Sequence, residues 1–154
     1  MKRLMILCFV SFGFIDAAQR LDIQCEVGYR KKICGDDYSC EASKCWINNT
    51  DILTAFRNDL RFWIESAQRR ERANEPQTHL YQKALLQDLP NIQTTKRVEI
   101  KNKYGQTCFM DIKRPNQNTL EIEYNDCSDE SDFKNTYQQN GQKVEIIEDG
   151  DNGA

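Results

Sequence analysis

Cysteine is the residue type whose number and spacing indicate the most definite chemistry in this chain. The sequence contains seven cysteines, and one of them, Cys8, lies inside an apolar segment at the amino terminus. The remaining six form an even set, which in an oxidising compartment predicts three disulfide bonds rather than reactive thiols. These disulfide candidates are Cys25, Cys34, Cys40, Cys45, Cys108 and Cys127.

The spacing of the six cysteines indicates how they pair. Four of them lie within residues 25–45 and two lie far downstream, so the simplest connectivity has two bridges in the first cluster and one between Cys108 and Cys127. Many other connectivities are formally possible. Zinc is the rival interpretation of the clustered cysteines, but the cluster lacks the C-x2-C spacing of a zinc knuckle. We therefore expect neither a metal nor a cofactor.

Histidine-dependent catalysis has little support in this sequence. His79 is the single histidine, and it follows the polar residues Gln77 and Thr78. A Ser–His or Cys–His nucleophile system would need it as the base, and a mechanism with two histidines is excluded. We expect His79 to be an exposed residue near a helix start. Because no phosphate-binding loop or zinc-protease motif is present either, no catalytic residue is assigned.

Carboxylates are the remaining catalytic option, because a glycosidase needs only two of them. The candidates are Glu65 on a predicted helix, and Asp111 or Glu123 on predicted strands. The amphipathic pattern places each of them toward solvent, so a carboxylate-dependent hydrolase is an alternative and a non-enzymatic role is the prediction. The acidic segment at residues 125–132 carries oxygen ligands of the kind that bind calcium, but a solvated loop is the expected structure.

The first 18 residues have the layout of a secretory signal peptide. Met1, Lys2 and Arg3 form a short positive start, residues 4–15 are mostly apolar, and Ala18 ends the segment with a small side chain. The apolar run is too short to span a bilayer. We expect residues 1–18, including Cys8, to be removed, which leaves a secreted or periplasmic chain without integral membrane association.

The remainder is predicted to be one domain with a short tail. The net charge of −3 over 154 residues gives no reason to expect a nucleic-acid partner. We expect residues 19–148 to form a single disulfide-containing domain and residues 149–154 to be a disordered acidic tail. Within the domain, residues 19–48 (the head) are expected to be cysteine-rich and loop-like.

Two helices are predicted in the first half of the domain. The first covers residues 51–72, with Asn49 or Thr50 as its N-cap. The second begins at Pro76 or Thr78 and ends at Leu89, before Pro90, which cannot continue a helix. Apolar side chains at steps of three and four form one stripe on the first helix: Ile52, Leu53, Phe56, Leu60, Trp63, Ile64 and Ala67.

After Pro90 the apolar period changes to two, which predicts three to five strands. The dipeptide Asn140-Gly141 marks a hairpin turn between the fourth and fifth strands. If Ile112 pairs with Ile122, their connecting loop must contain an odd number of residues. The predicted fold class is α+β, with two helices packed on an antiparallel sheet and stapled by disulfides. The alternating residues are Val98, Ile100, Cys108, Met110, Ile112, Leu120, Ile122 and Tyr124.

A rigid exported domain without catalytic residues is expected to bind another protein. An inhibitor or immunity protein directed at a toxic or lytic enzyme is the predicted function, and a secreted host-directed factor is a further alternative. Loops held by disulfides lose little entropy on binding. Tyr29, Arg30 and Trp46 are the predicted binding residues, because these types often dominate interfaces. The competing interpretation is that Trp46 covers the disulfide cluster.

Overall fold

The computed structural model describes residues 22–125, 127 and 132–151. Within these residues the chain forms three helices and seven strands. The predicted signal peptide, most of the acidic segment at 125–132, and residues 152–154 lie outside the described residues. The elements, in chain order, are β1 (Ile23–Cys25), α1 (Tyr29–Cys34), β2 (Cys40–Asn48), α2 (Ile52–Arg69), α3 (Pro76–Leu85), β3 (Thr94–Lys101), β4 (Thr107–Asn116), β5 (Thr119–Tyr124), β6 (Asp132–Asn140) and β7 (Lys143–Asp151).

The described strands form one antiparallel sheet with the order β1-β2-β7-β6-β5-β4-β3. Helices α2 and α3 carry the chain from β2 to the far edge of the sheet, where β3 begins. Four successive hairpins then return the chain across the sheet until β7 pairs with β2. Strand β2, which comes early in the described chain, and strand β7, which comes last, are therefore neighbours within one sheet.

The predicted amphipathic helix is confirmed as α2, with a different N-cap. Asp51 caps it, because its carboxylate accepts a hydrogen bond from the backbone N–H of Thr54 at 2.9 Å and one from the Thr54 hydroxyl at 2.7 Å. The predicted caps were wrong, since Asn49 and Thr50 both precede the capping residue. Aspartate is among the preferred caps because its short side chain reaches the free amides of the first turn.

The second helix is shorter than predicted. Pro76 begins α3, as expected, but the helix ends at Leu85 rather than at residue 89. Leu86 is 84% exposed and therefore supplies no burial that would extend the helix. The Thr78 hydroxyl donates a hydrogen bond to the backbone carbonyl of Arg72 at 3.0 Å, which ties the start of α3 to the end of the α2 region.

The hydrophobic core lies between one face of the sheet and helices α2 and α3. Alternating side chains of β3, β4 and β5 fill it, as the period-two pattern predicted. The helices contribute Phe56, Leu60 and Leu80, which are all buried. Strand residues in this core include Val98, Cys108, Met110, Ile112, Leu120, Ile122, Tyr137 and Val144.

The β4–β5 hairpin has Ile112 and Ile122 on one face, as expected, but the predicted odd number of loop residues was wrong. Ile112 pairs with Ile122, as predicted, yet the turn between Asn116 and Thr119 contains an even number of residues. A register shift between Lys113 and Asn116 supplies the extra residue. The shifted stretch contains Pro115, which has no backbone N–H and is tolerated in a strand at such a bulge.

The expected number of strands was too low, because the head is not loop-like. It contains β1, α1 and β2, and β2 pairs along its whole length with β7. The tail boundary also shifts, because Asp149, Gly150 and Asp151 belong to β7 rather than to a disordered end. A strand that pairs with partners about 100 residues away leaves only a weak local signal in the sequence.

The expected division into two disulfides in the head and one between Cys108 and Cys127 is confirmed, and the structure gives the pairing within the head that the sequence left open. Cys25 and Cys45 are directly opposite each other on β1 and β2, and they are bonded. The other two bridges are Cys34–Cys40 and Cys108–Cys127. Because all six cysteines are paired, the four in the head are not zinc ligands. Three disulfides are typical of an oxidising, extracellular environment. Among the described helices, none is both long and apolar enough to cross a membrane.

Candidate functional site

The three predicted binding residues lie on neighbouring elements of the head and are half-buried. Tyr29 and Arg30 begin α1, and the guanidinium of Arg30 donates to the Asp37 carbonyl at 2.9 Å. Trp46 lies in β2, where its indole N–H donates to the side-chain oxygen of Gln24 at 3.0 Å. Adjacent residues of a strand point to opposite faces, so Trp46 and the neighbouring disulfide of Cys45 lie on different faces.

The head also exposes large apolar side chains. Val27 is 99% exposed and Tyr38 is 91% exposed, and Ile33 is exposed between them in sequence. These three residues lie inside the segment that the Cys25–Cys45 disulfide closes. Isolated exposed apolar residues are ordinary, but several on one constrained segment are typical of contact surfaces.

The carboxylates considered for the hydrolase alternative differ in their surroundings, and two of them are held in ion pairs. Asp111 and Glu123 are directly opposite each other on β4 and β5, but each is held by a basic side chain. Arg97 donates to both oxygens of Asp111, at 2.7 and 2.5 Å, and these bonds lower the pKa of that carboxyl. Lys113 lies 2.6 Å from Glu123. Two neutralised carboxylates outside the core are poor candidates for acid–base chemistry.

Glu65 and His79 are exposed and far less constrained than a catalytic pair would be. The carboxylate of Glu65 lies 3.8 Å from Arg69, one helical turn away on α2. The Nδ1 atom of His79 lies 3.3 Å from the side-chain oxygen of Gln82. The expectation that His79 is an exposed residue near a helix start is confirmed, since it is the fourth residue of α3.

The structure contains a cavity that the sequence analysis did not predict. It has a volume of about 630 Å³ and lies between α2 and the edge of the sheet formed by β1, β2, β7 and β6. Small-molecule sites in proteins usually have volumes of a few hundred to about 1,000 Å³. The cavity is lined by apolar side chains and by several polar side chains from both sides, and Asp59 and Glu148 are among the latter.

Asp59 enters the cavity from α2 and is anchored to the sheet. Its Oδ2 atom accepts a hydrogen bond of 2.5 Å from the hydroxyl of Tyr137. The Trp63 side chain, one turn further along α2, also hydrogen-bonds this carboxyl. Burial raises the pKa of Asp59, and these hydrogen bonds offset only part of that rise. The carboxyl therefore holds its proton to a higher pH than an exposed aspartate does.

Glu148 enters the same cavity from β7, between polar side chains of the two adjacent strands. It pairs with Ser43 on β2 and with Asn135 on β6. The Ser43 hydroxyl donates to Oε2 of Glu148 at 3.1 Å. Burial raises the pKa of Glu148, and the nearby carboxylates of Asp59 and Glu41 raise it further. Two carboxyls with raised pKa thus share one cavity.

Asn135 adds an unsatisfied acceptor to this group. The residue is only 6% exposed, and its Oδ1 atom is buried without a hydrogen-bond partner in the described part of the chain. Its side chain also hydrogen-bonds Tyr137. A buried polar atom without a partner is rare and commonly marks a place where a ligand or water binds.

Two signals in the sequence point to these residues. Asp59 lies three positions after Phe56 and four before Trp63, so it interrupts the apolar stripe of α2 with a charge. Glu148 continues the alternation of Val144 and Ile146 on the inward face of β7. Charged residues that interrupt an apolar pattern are candidates for function, because proteins commonly break such local patterns at functional sites.

Within residues 22–125, 127 and 132–151, no group of three or more His, Cys, Asp or Glu side chains is placed to hold a metal ion. No protein-family model, curated protein or solved structure matches this chain.

Proposed function

We propose that this chain is an exported, non-catalytic protein-binding domain of the inhibitor or immunity type, whose partner contacts the head. One observation carries the proposal: the strongly exposed apolar side chains of Val27, Ile33 and Tyr38 lie in a segment closed by the Cys25–Cys45 disulfide. Burying such side chains against a partner gains free energy in proportion to the apolar area removed from water.

The rigidity of the head supports the same proposal. The Cys34–Cys40 bridge closes the loop that carries Tyr38, and the Arg30 guanidinium donates to the Asp37 carbonyl in that loop. A segment held in this way loses little conformational entropy when it binds. Lys31 and Lys32, both exposed on α1, lie next to the apolar side chains in sequence, which favours a partner with acidic groups around an apolar patch.

The non-catalytic part of the proposal is supported by the ion pairs of two candidate carboxylates. Asp111 pairs with Arg97 and Glu123 pairs with Lys113, which disfavours both as the two acids of a hydrolase. The alternative of a carboxylate-dependent hydrolase would have to use Asp59 and Glu148 instead. Release of reducing sugars from soluble glycans by the purified chain, abolished in Glu148→Gln, would favour that alternative.

A binding experiment with matched tyrosines tests the proposal. Proteins that copurify with the chain from its native source are identified by mass spectrometry, and the purified partner is titrated against variants. We expect Tyr38→Ala to weaken binding by about 1 kcal/mol or more, because it removes exposed contact area from the head. Tyr104→Ala is the control, since Tyr104 is also an exposed tyrosine but lies in the β3–β4 loop, outside the head.

The predicted binding residues extend the same titration. Tyr29→Ala, Arg30→Ala and Trp46→Ala should each weaken binding by about 1 kcal/mol or more while leaving the fold intact. Equal affinities for Tyr38→Ala and Tyr104→Ala, together with normal binding by the other three variants, would place the contact surface elsewhere. If Trp46→Ala alone unfolds the protein, Trp46 is a structural residue of the head.

A further inference from the structure

The cavity beneath α2 can accommodate a small ligand with an apolar body. Phe62 and Trp63 line it from α2, with ring centroids 5.5 Å apart in an edge-to-face arrangement. Ile23 and Ile146 line it from the sheet. Its volume of about 630 Å³ lies within the range of small-molecule sites, so the apolar and aromatic walls leave room for a small ligand.

The polar lining of the cavity offers hydrogen-bond acceptors. The hydroxyls of Tyr137 and Ser43 donate to the carboxyls of Asp59 and Glu148, so these two donors are already engaged. Asn135 adds its Oδ1 atom, which is buried and has no partner among the described residues. A neutral apolar ligand would leave this oxygen unsatisfied, whereas a ligand with several N–H groups would satisfy it.

The charge of the lining also selects for a cation. Asp59 and Glu148 face the cavity from opposite walls, and at the exposed end Asp22 and Glu65 outnumber the single Arg61. Carboxylates in a poorly hydrated site are costly unless a positive charge is near them. An inorganic cation is a poor match, because the described residues contain no cluster of three or more metal-binding groups.

We propose that this cavity binds a small organic ammonium cation, with its apolar body against Phe62 and Trp63 and its N–H groups directed at Asp59, Glu148 and Asn135. A primary ammonium has three N–H donors and a single positive charge, which matches the three acceptors. Aromatic side chains near the ammonium add a favourable cation–π interaction. The proposal does not depend on the exposed head residues Val27, Ile33 and Tyr38, which are not part of the cavity lining, although Asp22, Ile23 and Ser43 of the head are.

Binding of such a cation should depend on pH in a defined direction. Burial raises the pKa values of Asp59 and Glu148, so each carboxyl keeps its proton to a higher pH than an exposed carboxyl does. A bound ammonium favours the ionised forms, and its affinity therefore increases as pH rises through the range in which the carboxyls ionise. The carboxylates of Asp59 and Glu41 also raise the pKa of Glu148 and therefore oppose its ionisation, whereas a bound ammonium would favour it.

Isothermal titration calorimetry of the mature chain with a matched set of probes tests the proposal. The probes are 2-phenylethylamine, its neutral analogue 2-phenylethanol, and the anion phenylacetate, with butylamine and tryptamine as smaller and larger amines. We expect saturable binding of at least one amine, binding of its neutral analogue weaker by about tenfold or more, and no binding of phenylacetate. The affinity for the amine should rise with pH.

Two variants locate the site. Glu148→Gln keeps the side-chain size but removes the charge, and should weaken amine binding by about thirtyfold or more. Glu121→Gln, on β5 and outside the cavity lining, is the matched control and should bind normally. Failure of all three amines to bind, equal binding of the alcohol or anion, or normal amine binding by Glu148→Gln would each overturn the proposal. If Glu148→Gln does not fold, the comparison of the three phenyl probes on the unmodified chain decides.

Discussion

The hydroxyl of Tyr137 on β6 donates a hydrogen bond to Oδ2 of Asp59 on α2, with a distance of 2.5 Å between the two oxygens. Tyr137 is 1% exposed, and its ring meets Phe56 of α2 edge-on, with centroids 5.7 Å apart. Helix and sheet are thus joined by a polar and an apolar contact from one side chain. This junction adjoins the cavity, so its loss should affect both stability and the candidate site.

Replacing Tyr137 with phenylalanine tests the contribution of this hydrogen bond to stability. The ring contact with Phe56 is retained, but the Asp59 carboxyl loses one donor while it stays buried. We expect the free energy of unfolding to fall by about 1–3 kcal/mol, as measured by urea denaturation. Tyr104→Phe, at an exposed tyrosine, is the control and should change it by less than about 0.5 kcal/mol. Equal effects of the two substitutions would mean that the hydroxyl of Tyr137 contributes nothing.

The raised pKa of Asp59 predicts how stability varies with pH. The pKa of Asp59 in the folded chain lies above its ordinary value of 3.8. At pH values between the unfolded-state pKa and the folded-state pKa, this carboxyl is therefore more protonated in the folded chain than in the unfolded chain. Its contribution to stability therefore decreases as pH rises through that window. Asp59→Asn removes this contribution, so the stability of the unmodified chain relative to the variant should be greatest at acidic pH. Denaturation at a series of values from about pH 4 to about pH 8 measures it, and a pH-independent difference would contradict the expectation.

Leu60→Ala tests whether the apolar stripe of α2 is the centre of the core. Leu60 is buried, so its truncation should cost about 2–5 kcal/mol of unfolding free energy through lost burial and a residual cavity. The matched control is Leu86→Ala, because Leu86 is largely exposed just after α3. A loss below about 1 kcal/mol for Leu60→Ala in denaturant titration would indicate that the stripe is not packed as the structure has it.

Asp51→Ala should reveal which residue caps α2. The substitution removes the acceptor for the Thr54 backbone N–H, and we expect a loss of about 1 kcal/mol in unfolding free energy. Thr50→Ala should have a smaller effect, because the Thr50 hydroxyl makes one long contact of 3.4 Å to the Asp51 carbonyl. Thermal or urea denaturation of the two variants compares them, and a larger loss for Thr50→Ala would contradict the assignment of the cap.

The cysteine pairing predicts the thiol content of the mature protein. With Cys8 removed in the signal peptide and the other six cysteines in disulfides, no free thiol should titrate in unfolded, unreduced protein. Amino-terminal sequencing of the same sample should find a start within a residue or two of Ala18. Two or more titratable thiols per chain would exclude the three-bridge structure, and a start at Met1 would exclude signal cleavage.

Local patterns in the sequence were sufficient for the elements whose partners are close in the chain. The apolar stripe of α2 and the alternation of β3, β4 and β5 are visible because each element buries one face and connects to its neighbour through a short turn. The Cys108–Cys127 pair could be predicted from spacing because its two cysteines lie far from the other four, but the pairing within the head could not. The bulge near Pro115 was not predicted. The pairing of Ile112 with Ile122 requires one more residue on β4 than on β5 when the turn has two residues, but the sequence does not show where that residue lies.

Contacts between distant parts of the chain were decided only by the tertiary structure. The head becomes part of the sheet because β2 pairs with β7, and neither strand has a purely apolar face that would mark it in the sequence. The candidate cavity depends on the same assembly. Its hydrogen bonds join Tyr137 to Asp59 across 78 residues, and Ser43 to Glu148 across 105. Sequence alone identifies these as polar residues within apolar patterns, but a site exists only once the folded sheet brings their side chains into one poorly hydrated space.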